Sequence, residues 1–85
     1  MSEEQIGVIV KFFVQPSVAA IEVRNGNFKT GDLLRFKGHT TDFTETVTSM
    51  EIENQKVEEA KPGDMVGMKV KERVRENDIV YKVVE

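Results

Sequence analysis

The 85-residue chain carries 12 Lys and Arg against 15 Asp and Glu, a formal charge of −3, and no cysteine. That length holds a single domain, residues 1–85, and the missing thiols exclude disulfides, thiolate metal sites and cysteine nucleophiles. The acidic balance excludes attraction of the whole molecule to nucleic acid, so any contact with RNA requires a local basic patch.

The opening Met1-Ser2-Glu3-Glu4 is acidic where a signal peptide would be basic, and residues 1–4 are expected to be disordered. The longest apolar run, around Phe12-Phe13-Val14, is broken by Lys11, so no membrane segment is expected and a cytoplasmic setting is.

Valine and isoleucine far outnumber leucine, which occurs only at Leu33 and Leu34, a bias toward side chains that suit a pleated surface. Ile6, Val8, Val10, Phe12 and Val14 recur at period two and predict one long strand with those residues on one face. Gln15-Pro16-Ser17 interrupts it, and a second strand over residues 18–24 turns Ala19, Ile21 and Val23 inward to complete a hairpin.

Asn25-Gly26 and then Lys29-Thr30-Gly31-Asp32 predict tight turns, and Leu34 and Phe36 mark a third strand. After a polar loop, residues 43–53 read as one extended stretch in which Val47 is out of phase with Met50 and Ile52, predicting a β-bulge near Thr48 and Ser49. Val57 to Ala60 predicts one helical turn, ended by Lys61-Pro62-Gly63-Asp64, whose proline and glycine suit a type II turn.

Val66, Met68 and Val70 define the next strand, and residues 79–84 the last, preceded by Asn77 in a position that suits the left-handed conformation. Gly31-Asp32, Gly63-Asp64 and Asn77-Asp78 thus each place a left-handed-tolerant residue and an aspartate directly before an apolar strand. Many short strands joined by glycine and proline turns predict an all-β fold, a small closed Greek-key-like barrel of six or seven strands.

Gly7-Val8-Ile9-Val10, Gly26 to Asp32 and Val57 to Gly67 together resemble the second-domain β-barrel of translation GTPases such as elongation factor Tu and bacterial initiation factor. Lys37 to Phe43 and Lys69 to Val83 make the chain more similar still to the barrel appended to collagenase-like peptidase family proteins. The translation-factor resemblance implies binding of tRNA or rRNA, or docking on an RNA-handling complex. The peptidase resemblance implies an accessory module acting in trans with a separately encoded enzyme. No phosphate-binding Gly-x-x-x-x-Gly-Lys loop is present, so GTP binding is not expected.

For catalysis the only histidine, His39, stands beside Thr40 and Asp42 as a base near a hydroxyl, but no zinc spacing or nucleophile and base pair accompanies it. No cofactor, metal or catalytic group is therefore expected. For binding, Lys37, His39, Thr40, Thr41 and Asp42 gather a cation, an imidazole and two hydroxyls in one loop, with Phe43 either stacking on a ligand or filling the core. Lys69, Lys71, Arg73 and Arg75 recur at period two and predict a basic stripe, extended by Arg35 and Lys37. The competing reading, favoured by the acidic total, is cross-strand pairing with Glu51 and Glu53. Phe13 and Phe28 are the phenylalanines expected on the surface.

Overall fold

The computed structural model describes residues 2–84. Ten strands follow one another: β1 (Ser2–Phe13), β2 (Val18–Val23), β3 (Phe28–Lys29), β4 (Leu33–Lys37), β5 (Asp42–Thr46), β6 (Met50–Ile52), β7 (Gln55–Val57), β8 (Glu59–Ala60), β9 (Met65–Lys69) and β10 (Ile79–Val84). Eight form one antiparallel sheet in the order β5-β4-β10-β1-β2-β9-β6-β7, while β3 and β8 pair separately.

The fold is all-β, but the expected closed barrel of six or seven strands is not formed. The sheet has two edges, β5 and β7, with no ladder between them. It bends around one core, since Phe43 of β5 and Met50 of β6 belong to the same buried cluster. Closure fails in the link between those strands. Val47 donates its N–H to Asp32 O at 2.9 Å and accepts from Gly31 N at 2.8 Å, so its backbone is committed to the turn before β4. The bulge expected at Thr48 and Ser49 is therefore a break between two strands.

Three turns share one hydrogen-bond pattern. Asp32, Asp64 and Asp78 each donate their N–H to the carbonyl of the residue three back, and each side chain accepts that same residue's N–H at 2.8–2.9 Å. The residue before each aspartate has positive φ: Gly31 at 97°, Gly63 at 97° and Asn77 at 76°. A strand begins directly after each aspartate. The sequence device is thus a self-capped turn that launches β4, β9 and β10.

The predicted inward faces of β2, β4 and β9 hold, with Ala19, Ile21, Val23, Leu34, Phe36, Val66 and Met68 all buried. β1 departs from its simple alternation. Its register slips between Gln5 and Gly7 against β10, and again between Ile9 and Lys11 against β2. These bulges put Ile6 and Ile9 in the core, three residues apart, and leave Val8 buried but outside the main cluster.

Ser2 to Glu4, expected to be disordered, are the start of β1 and pair with Val84 to Lys82 of β10; Met1 lies outside the described residues. The helical turn expected over residues 57–60 is replaced by the end of β7 and by β8, because Glu59 and Ala60 pair with Lys29 and Phe28. That pairing buries Phe28 to 1% exposure, which corrects its expected surface position.

Candidate functional site

The β4–β5 loop is held from three sides. Gly38 N donates to Thr41 O at 2.8 Å, closing the turn. Below it Phe43 faces the core and stacks on Phe36 with ring centroids 5.0 Å apart, so Phe43 is a packing residue and not a ligand platform. Gly38 lies so close to the Asp78 carboxylate that any Cβ there would overlap it. Arg75 Nε donates to Thr40 Oγ1 at 3.0 Å and ties the loop to the segment before β10.

The basic residues do not form the predicted stripe. β9 ends at Lys69, and the chain then bends so that Val70 and Val74 are buried while Lys71, Glu72, Arg73 and Arg75 are exposed. Lys71 donates its N–H to Glu45 at 2.8 Å, and the Arg73 guanidinium lies 6.0 Å from the Phe12 ring centroid. Cross-strand pairing with Glu51 and Glu53 is absent too. Glu51 stands opposite Gly67 on one side and Lys56 on the other.

What the structure does assemble is an open polar cleft of about 480 Å³ lined by Lys37, His39, Thr40, Asp42, Glu72 and Arg73, together with Gly38, Thr41 and Phe43. Lys69 is not part of it. Arg35 does not extend its cationic surface, because Nε and Nη2 donate to the two Asp42 oxygens, each at 2.9 Å, and Nη1 donates to Glu3 at 2.9 Å. The hydrogen bonds from Arg35, with a smaller contribution from Lys37, hold the Asp42 carboxyl below its ordinary pKa. The same bonds, to Asp42 and then Glu3, raise that of Arg35.

Those partners dissolve the His39 triplet. The Thr40 hydroxyl accepts from Arg75 and the Asp42 oxygens accept from Arg35, while His39 makes no side-chain hydrogen bond among the described residues. No group of three His, Asp or Glu among the described residues could hold a metal ion, and the described residues include no helix long and apolar enough to cross a membrane.

A second concavity, about 580 Å³ and more apolar, lies beyond the β1–β2 hairpin and is lined by Phe13, Pro16, Val18, Met50, Met65 and Lys69, among others. Phe13 and Met65 are 44% and 47% exposed, and Val14 beside them is 64% exposed. Sequence reasoning found Phe13 but missed Met65. The available signal was an apolar side chain in the outward phase of β9, directly before buried Val66.

No protein-family model matches the chain. It is 43% identical over 82 residues to an uncharacterized protease of Methanocaldococcus jannaschii, a match that covers 95% of this chain and 20% of that protein. It is 33% identical over 78 residues to a collagenase of Porphyromonas gingivalis, covering 91% of this chain and 22% of the relative. The chain thus spans about a fifth of the length of these curated relatives. Its fold is that of the C-terminal domain of a Geobacillus thermoleovorans protein described as a "putative U32 peptidase". The two superimpose with a TM-score of 0.87 at 24% identity, over 95% of this chain and 93% of that one. A selenomethionine variant of the same domain gives 0.84.

These relatives correct the translation-factor reading, and with it the expected tRNA or rRNA binding. The likeness that stands is the one to a domain of collagenase-like peptidase family proteins.

Proposed function

We propose that this chain is a non-catalytic accessory module that docks in trans on the body of a collagenase-like peptidase family protein, supplying a domain that relatives carry within one polypeptide. The observation that supports the module reading most is that nearly the whole chain matches one segment of a larger protein: 95% of it aligns with 20% of the Methanocaldococcus jannaschii protease. The C-terminal domain of the Geobacillus protein has the same fold from end to end. The commitments of Thr40 and Asp42 to arginines support a binding role over a catalytic one. A cytoplasmic setting is part of the proposal, since a fold without cysteine asks nothing of an oxidising compartment.

The test is co-elution. The Methanocaldococcus protease with its matching segment deleted is mixed with this chain and run on a sizing column. The proposal expects a peak holding both proteins, and two independent peaks at micromolar concentration contradict it.

A further inference from the structure

Although the chain is acidic overall, at −3, Lys37 and Arg73 line one polar cleft, and Arg75 is bonded to the Thr40 of its wall. Among the described residues none of these three cations forms a salt bridge, although Lys37 stands opposite Asp42 and acts on it through space, whereas Arg24, Arg35 and Lys82 each form one. Arg75 spends only Nε on Thr40, so its position is set while its terminal nitrogens keep their donors. The acidic residues of the cleft do not cancel this charge. Asp42 is paired with Arg35, which also bonds Glu3, so its charge is offset in part, and Glu72 is the one lining carboxylate without a cation partner among the described residues.

We infer that this cleft is where the module meets its protein partner, seating one or two carboxylates of an acidic segment between Lys37, Arg73 and Arg75. This rests on the docking reading above. A guanidinium offers paired N–H donors that match the two oxygens of a carboxylate, and Lys37 adds a mobile point charge. The same cations suit a polyanion less well. The field of a chain at −3 opposes every anion at a distance, and a nucleic-acid strand more than a segment bringing one or two carboxylates, and Glu72 stands in the lining against closely spaced phosphates. A sparse pair of carboxylates meets three cations with little of that repulsion.

Two measurements decide the matter. In the first, the isotope-labelled chain is titrated with the blocked peptide acetyl-Gly-Glu-Gly-Glu-Gly-amide, with its glutamine counterpart, and with a short oligouridylate, and followed by NMR. Saturable shifts confined to residues 37–42 and 72–75 are expected with the glutamate peptide and none with the glutamine one. The double variant Lys37→Ala, Arg73→Ala should bind the glutamate peptide about tenfold or more weakly, as expected when charge-assisted hydrogen bonds are lost. Shifts scattered over other lysines, an equal response to the glutamine peptide, or occupation of the same residues by oligouridylate at lower concentration than the peptide would overturn the inference.

In the second, Arg73→Glu is mixed with the truncated protease body after its unfolding midpoint is shown to match that of the unaltered chain. Loss of co-elution supports the cleft as the docking site. Retained co-elution overturns the inference and leaves docking standing. If the unaltered chain itself fails to bind, the docking reading falls, the cleft as a docking site falls with it, and the peptide titration still decides whether carboxylates bind there.

Discussion

Arg35 on β4 reaches diagonally across the hairpin to Asp42 on β5, where Nε and Nη2 each donate to a different carboxylate oxygen at 2.9 Å. The same guanidinium crosses β10 to bond Glu3 of β1. One side chain thereby ties the edge hairpin to the sheet and offsets part of the Asp42 charge at the neighbouring cleft.

The first prediction concerns pH. Asp42 is held below its ordinary pKa by Arg35, so its folded state binds a proton less readily than the unfolded chain. Its contribution to stability is then present above the unfolded value and is lost as pH falls through the folded one. Carboxyl-carbon NMR titration should place Asp42 below the ordinary aspartate range, about 3.9. In Arg35→Ala it should titrate upward, toward that range.

Gly38→Ala should destabilise the fold by about 1–3 kcal/mol through overpacking, because the new methyl overlaps the Asp78 carboxylate. In an Asp78→Ala background the same substitution should cost markedly less, since the two residues are in contact. Urea unfolding of the two singles and the double reads the coupling directly.

The three self-capped turns should not be equal. Asp78 is only 5% exposed and its carboxylate accepts from Arg75 N, so Asp78→Ala should cost about 1–3 kcal/mol, as a charged hydrogen bond lost from a buried site. Asp64→Ala, at a solvent-facing turn, should cost less, about 0.5–1.5 kcal/mol. Equal losses in denaturant titrations would contradict the difference in burial.

Phe36→Ala should cost about 3–5 kcal/mol, the usual loss for a buried aromatic, because Phe36 is fully buried and stacked on Phe43. Phe13→Ala should stay within about 1 kcal/mol, since the ring is 44% exposed at the rim of the apolar groove.

Where side chains alternate strictly, the fold was legible. Ala19, Ile21 and Val23 state their face outright, and so do Leu34 and Phe36. The turns before β4, β9 and β10 were equally plain, because few residues besides glycine and asparagine accept positive φ. β1 misled because a bulge leaves no mark on a run of valines and isoleucines, so Ile6 and Val8 seemed to share one face with Ile9 on the other, whereas Ile6 to Ile9 are all buried. The β6–β7 turn was missed for a related reason. Glu53 and Asn54 both take positive φ, 52° and 65°, which a glutamate does not announce.

The basic stripe carried its own warning. A strand that continued through residue 75 would have placed Glu72 inward between Val70 and Val74, and a lone carboxylate does not belong there. The structure resolves the conflict by leaving the strand at Lys69 and burying the two valines from a bend. The cleft was half legible, since Lys37 to Asp42 are contiguous in sequence. Which of the four cations would join them depended on where β9 stopped.

Docking in trans is tested most directly by calorimetric titration of this chain into two forms of the Methanocaldococcus protease, one intact and one lacking the segment that matches it. A one-to-one isotherm with the truncated form, and little or no heat with the intact form whose site is already filled, is the predicted result. No binding to the truncated form, or equal binding to both, would contradict the account.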